Sequence, residues 1–127
     1  MVQSRPTIAV VDDDENIRKS LRGPLCTAGF EAITFASAED YLASMAEISA
    51  ACLILDVRLP GQSGIALHQR LTNEHYDIPT VFISAHDNEL ASARSVTADV
   101  VAYLRKPFDA DELLDEVQKA LGDCETL

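Results

Sequence analysis

Five residues in this sequence are of types that do chemistry together: Asp12, Asp13, Asp56, Ser84 and Lys106. Each sits where a short apolar run stops. The run at 7–11 enters "DDDE", the run at 51–55 ends in Asp56, the run at 80–83 ends in Ser84, and the run at 100–104 is followed one residue later by Lys106. Carboxylates are hard oxygen ligands of the kind a divalent cation such as Mg²⁺ takes. A hydroxyl and an ammonium opposite them suit the anionic oxygens of a phosphoryl group, and a carboxylate in such a set can attack phosphorus. The combination reads as metal-assisted phosphoryl transfer to a carboxylate. A physical problem points the same way: two carboxylates ~4 Å apart at an effective dielectric near 20 repel by about 4 kcal/mol. Water, a helix N-terminus or a cation must offset that.

The elements between these residues must bring them together. After the acids, Ile17, Leu21, Leu25 and Ala28 recur every three or four residues, one face of a helix that stops at Gly29. Gly23 and Pro24 fall inside it, and proline removes a backbone donor, so a kink or break is expected there. Residues 31–35 ("EAITF") alternate and suit an edge strand. Ser37 is placed to cap a helix running to about residue 46, with Asp40 in its first turn. The Pro–Gly loop "RLPGQSG" follows Asp56, then a helix carrying Ile65, Leu67, His68 and Leu71. Residues 88–97 form a weak, polar helix and 100–104 a fifth strand. The last helix opens at Asp109, with Glu112 three residues on as in a capping box. Leu113, Leu114, Val117, Ala120 and Leu121 are its core stripe.

Five strand-then-helix units with continuous apolar strands define an α/β fold with a parallel sheet covered on both faces and right-handed crossovers. In such a sheet all strands point one way. The five chemical residues therefore share the carboxyl edge, where open α/β sheets bind ligands.

The bulk composition agrees. The chain has 127 residues, 47% hydrophobic and 24% charged, which suits one soluble domain. With 10 Lys+Arg against 21 Asp+Glu, the net charge is -11, so direct nucleic-acid binding by this domain is not expected. Cys26, Cys52 and Cys124 have neither disulfide nor zinc spacing, which fits a reduced, cytoplasmic setting. No signal peptide or membrane span is expected.

Four motifs, in this order and at this spacing, carry a family resemblance: "VVDDDE", "LILDVRLPGQSG" (a D-x-x-x-P-x-x-x-G loop), "VFISAH" and "YLRKPF" before an amphipathic helix. The sequence resembles the receiver domains of two-component response regulators over about residues 7–121. Its wording is closest to receivers that precede LuxR-type DNA-binding domains. The resemblance implies a single receiver domain across 1–127 with a flavodoxin-like, doubly wound, five-stranded parallel sheet, order 2-1-3-4-5, and five helices. It implies that Asp56 accepts the phosphoryl group, that Asp12, Asp13, Asp56 and the backbone carbonyl of Arg58 hold Mg²⁺ or Mn²⁺, and that Lys106 pairs with phosphoryl oxygens. Ser84 would be the switch hydroxyl, Tyr103 the aromatic that turns inward on activation, and Lys106–Pro107 a cis bond. Arg58 and His86 would flank the entrance, where swaps alter the phosphoryl lifetime more than stability. The implied partners are a sensor histidine kinase or phosphotransfer protein, a C-terminal DNA-binding output domain, and a second copy through the fourth helix, fifth strand and fifth helix. Catalysis would be limited to the domain's own phosphorylation and dephosphorylation.

Plainer readings cover other residues. Asp14 and Glu15 suit the first turn of a helix, and His68, His75 and His86 share no ligand spacing. A phosphohydrolase of the haloacid-dehalogenase type would use Asp12 and Asp14, but Asn16 stands where threonine is expected and Asp56 is left without a role. A binding module that is never phosphorylated is the third reading, opposed by the complete site set. Three features depart from the family pattern: Asp99 where glycine is usual, the Gly23–Pro24 pair, and the few large apolar residues of the fourth helix.

Overall fold

The computed structural model describes residues 5–97 and 100–122. Five strands, β1 (Thr7–Val11), β2 (Glu31–Phe35), β3 (Ala50–Asp56), β4 (Thr80–Ser84) and β5 (Ala102–Arg105), alternate with α1 (Glu15–Thr27), α2 (Ala38–Ser44), α3 (Gly64–Asn73), α4 (Asp87–Val96) and α5 (Ala110–Ala120). One 3-10 turn, Met45–Glu47, follows α2. All pairings are parallel, in the order β2-β1-β3-β4-β5. The alternating strand at 31–35 is the edge strand, as its pattern implies.

The pleat sorts the apolar residues into two cores. Side chains alternate along a strand. Ala9, Val11, Leu53, Leu55 and Phe82 therefore face α2, α3 and α4, where they meet Tyr41, Leu67, Leu71, Leu90 and Ala93. Ile8, Val10, Cys52, Ile54, Val81 and Ile83 face α1 and α5 through Leu21, Leu25, Leu113 and Val117. The strands read as continuous apolar runs because both faces are covered.

Three local expectations are corrected. The first helix runs through Gly23–Pro24 without a break. The carbonyl that loses its donor to Pro24 is that of Ser20, an exposed residue, where solvent can take the donor's place at little cost. The fifth strand begins two residues later than the apolar run at 100–104. Val100 and Val101 pack into the two cores, but the ladder starts at Val81↔Ala102 and extends to Ser84↔Arg105. Asp109 is the N-cap of α5 but its side chain accepts no capping bond, so the box with Glu112 does not close. Ser37 does cap α2, accepting from the Asp40 amide at 3.0 Å. Gly29, at φ 101, ends α1 in a conformation that glycine adopts without cost. Asp99 and Cys124 lie outside the described residues. Cys26 and Cys52 are free thiols. Among the described residues no helix is long and apolar enough to cross a membrane.

Candidate phosphoryl-transfer site

The strand register places the site. Val11 pairs with Leu55, so Asp12 follows β1 beside Asp56 at the end of β3. Asp56 in turn pairs with Ile83, one residue before Ser84. Backbone bonds beyond the ladders fix each position: Asp12 N donates to Phe35 O (3.0 Å), Val57 N to Ile83 O (3.0 Å) and Lys106 N to Ser84 O (2.7 Å). This is the edge of a doubly wound sheet at its switch point between β1 and β3.

Asp12 and Ser84 are fully buried and Asp56 nearly so. Asp12 Oδ1 accepts from the Asp14 amide (2.9 Å), which turns the chain into α1. Asp14 caps that helix by accepting from the Asn16 amide, and Glu15 pairs with Lys19 on the exposed face. These two acids are thus spent on the helix start. Asp13 is exposed, yet its carboxylate joins those of Asp12 and Asp56 in a cluster whose ligand atoms lie within 4.8 Å of one another.

Lys106 supplies the opposing charge. Its Nζ lies 2.9 Å from Asp12 Oδ2 and 3.2 Å from Asp56 Oδ2. Asp12 Oδ2 has this ammonium as charge partner but accepts no well-directed hydrogen bond, although it is sealed from solvent. One ammonium between two buried carboxylates is outnumbered. Burial, and then the Asp12 charge, push the Asp56 carboxyl up to about 7, with Lys106 and the Arg58 amide opposing. Burial works against the Lys106 charge, yet the two acids hold its pKa above the usual lysine value. Both values rise, which favours the charge on Lys106 and disfavours it on Asp56, because Lys106 faces two anions while Asp56 shares one cation.

A first prediction follows. Lys106→Met is expected to destabilise the protein by about 3 kcal/mol near pH 8, the cost of leaving a buried charge without its partner. The loss shrinks near pH 5, below the Asp56 value of about 7, where that carboxyl is protonated in wild type and variant alike. Urea unfolding at both pH values measures it, and equal losses at the two would contradict it.

The residues implied as switch and entrance groups lie around this cluster. Ser84 Oγ accepts from the His86 amide (3.0 Å), and its one proton has two acceptors in reach, Glu89 Oε1 at 2.5 Å and the His86 carbonyl at 3.3 Å, of which the charged and much closer Glu89 takes it. Arg58, two residues past Asp56, sends its Nε to Glu89 Oε2 (2.6 Å), and its Nη2 is ion-paired with the same oxygen. Its amide donates to Asp56 Oδ1 (3.1 Å). His86 is exposed at the N-cap of α4 without a side-chain capping bond. Tyr103 is half-buried, stacked on Phe82 at 5.9 Å, under the Arg94 guanidinium at 4.6 Å, with its hydroxyl 2.8 Å from Thr97 Oγ1. The Lys106–Pro107 bond is cis.

The structure therefore brings Asp12, Asp13, Asp56 and Lys106 into one cluster, with Ser84 and Arg58 beside it, and sets Tyr103 farther along β5. Glu89 was not singled out from the sequence. In the first turn of a polar helix it reads as a solvated acid that favours the dipole. Its spacing, five residues past Ser84, is the only signal that could have found it.

A parallel sheet of this order, with an acid cluster and one ammonium at the switch point, defines a class of α/β proteins equipped for phosphoryl transfer to a carboxylate. Residues 8–118 match the family model described as the response regulator receiver domain, and the chain belongs to that family. It is 37% identical over 117 residues to nodulation protein W of Bradyrhizobium diazoefficiens, covering 92% of this chain and 52% of that protein. It is 35% identical over 116 residues to transcriptional regulatory protein TdiR of Thauera aromatica, covering 91% and 51%. Among solved structures it resembles the response regulator StyR, with a TM-score of 0.79 and 40% identity, covering 93% of this chain and 60% of that one. The chain spans about half the length of these two curated relatives. Its function is that of a phosphoacceptor in two-component signalling.

Proposed function

We propose that Asp56 is the phosphoacceptor, taking its phosphoryl group from a phosphohistidine on a sensor histidine kinase or phosphotransfer protein, with Mg²⁺ or Mn²⁺ required. The observation that carries this is the Lys106 ammonium held between two buried carboxylates at the sheet edge, 2.9 Å from Asp12 and 3.2 Å from Asp56.

The donor set suits a hard divalent ion. Three carboxylates converge, and the buried Asp12 Oδ2 lacks a well-directed hydrogen bond. Asp12, Asp13, Asp56 and the carbonyl of Arg58 would hold the ion. When bound, it neutralises phosphoryl oxygens that the carboxylates would otherwise repel. Lys106 neutralises the same oxygens from the other side of the cluster. A carboxylate oxygen of Asp56 attacks phosphorus. The new O–P bond forms as the P–N bond to the donor imidazole breaks, and that nitrogen keeps the electron pair. The product is an acyl phosphate bearing about two negative charges. Ser84 then has a phosphoryl acceptor, and the space it vacates lets Tyr103 turn inward. The surface of α4, β5 and α5 changes with it, a two-state element biased by local charge.

In this reading residues 1–127 form one receiver domain with its core at about 7–121. It turns over only its own phosphoryl group, acts in the cytoplasm and contacts no nucleic acid directly. It regulates transcription through a C-terminal DNA-binding domain, with dimerisation through the α4-β5-α5 face. The chain's similarity to a transcriptional regulator of about twice its span supports the output.

Acetyl phosphate is the test. One phosphoryl group per chain is expected by intact mass, dependent on Mg²⁺ and released by hydroxylamine as an acyl phosphate is. No uptake at millimolar Mg²⁺ would overturn the reading.

A further inference from the structure

Of the acids in the first turn of α4, Asp87 points outward and pairs with the exposed Arg105, its side chain 79% exposed. Glu89 does the opposite. Its side chain is only 13% exposed and sits between two groups that the phosphoryl reaction would use. One oxygen accepts the Ser84 hydroxyl, and the other accepts from the Arg58 guanidinium. Burial disfavours the Glu89 charge, but the Ser84 and Arg58 bonds and the Arg58 charge hold its pKa below the usual glutamate value. The pocket thus has a carboxylate doing for Ser84 and Arg58 what phosphoryl oxygens would do.

We propose that Glu89 is a positioning residue for phosphoryl transfer: an internal anion that holds the Ser84 hydroxyl and the Arg58 guanidinium in the resting state and must give them up when Asp56 is phosphorylated. The proposal rests on Asp56 being the acceptor. It follows from donor counting. A serine hydroxyl has one proton to donate, so Ser84 donates to Glu89 or to the phosphoryl group, not to both. Arg58 can turn from one anion to the other because its side chain is 74% exposed. Glu89 therefore sets the threshold for activation. It rides on α4, so its release is also the step that uncouples that helix from the β3 and β4 ends. The same contact ties phosphoryl occupancy to the movement of one output element.

Beryllofluoride with Mg²⁺, a non-covalent phosphoryl mimic, tests this by calorimetry on the whole chain. Glu89→Ala is expected to tighten binding roughly ten-fold, the scale of one hydrogen bond to a charged group that no longer has to be broken. Glu89→Gln keeps a neutral acceptor and should gain less, and it preserves the packing should the alanine variant fold poorly. In a Ser84→Ala background, the gain from Glu89→Ala should shrink to about two- to three-fold, the share carried by Arg58. Asp87→Asn, which removes a charge from the same helix turn, should change nothing. No tightening in either Glu89 variant, the same gain in Asp87→Asn, or an undiminished gain in the Ser84→Ala background would overturn the proposal. A wild type that binds no beryllofluoride, or an Asp56→Asn variant that binds as well as wild type, would instead refute the phosphoacceptor reading, and the role of Glu89 with it.

Discussion

Asp56→Asn is expected to abolish phosphoryl uptake from acetyl phosphate and, at the same time, to make the protein more stable near pH 8. The first effect is chemical, because an amide oxygen does not form the acyl phosphate. The second comes from the electrostatics of the resting pocket. Burial and then the Asp12 charge raise the Asp56 carboxyl from 3.8 to about 7. A raised carboxyl favours folding in its protonated form. Its contribution is fully present below the unfolded value of about 4 and is lost as pH rises through about 7. Wild type near pH 8 thus carries a buried anion that only half an ammonium offsets. Asparagine has nearly the same shape and no charge. It should gain on the order of 2 kcal/mol near pH 8 and nothing near pH 4. Urea unfolding without divalent ions at the two pH values reads the difference. A loss of stability near pH 8 would show that the Lys106 pairing outweighs the repulsion from Asp12, and the pocket would then not be poised for an incoming cation.

That sign also explains which parts of the site the sequence disclosed. Strand ends could be read because an acid closing a buried apolar run has no comfortable alternative to a partner. Asp12 and Asp56 announced themselves that way, and the parallel topology brought Lys106 and Ser84 to the same edge. The family motifs fixed the order of the sheet. Arg58 was placed at the entrance by its spacing from Asp56, but its destination was not legible. Neither was the inward turn of Glu89, because a helix of low apolar content gives no sign of which acid leaves solvent. Boundaries failed where local pattern and ladder diverge. Val100 and Val101 are as strand-like as Ala102, and the Val101 amide donates to Thr80 O at 2.9 Å, yet the paired register with β4 starts at Ala102. Pro24 predicts a kink or break, but α1 runs through it because the carbonyl that loses its donor belongs to exposed Ser20, where the cost is small.

The D-x-x-x-P-x-x-x-G spacing shows its physical basis at its last residue, where the second large effect is expected. Gly64 opens α3, and its amide donates to Val57 O at 3.0 Å, folding the loop after Asp56 back on the strand. Ser63 caps the helix just before it, accepting from the Ala66 amide at 3.1 Å. A β-carbon at position 64 would lie 2.0 Å from the backbone oxygen of Asp56, 3.0 Å from its carbonyl carbon and 3.2 Å from Leu55 Cγ. The first two are main chain at the end of a strand hydrogen-bonded on both sides, so the clash cannot be relieved by a rotamer change. Gly64→Ala must move either the start of α3 or the residue that carries the reactive carboxylate. It is expected to cost at least about 3 kcal/mol, the upper part of the range for overpacking. Phosphoryl uptake should fall even in the fraction that remains folded, because Asp56 is displaced from Lys106. Gly23→Ala is the matched control. A β-carbon there meets nothing within 4 Å, and the position is an exposed one inside α1. Alanine should stabilise that helix by up to about 1 kcal/mol and leave phosphorylation unchanged. Thermal unfolding and acetyl phosphate uptake, run on both variants, separate a general effect of removing glycine from the close approach that fixes Asp56.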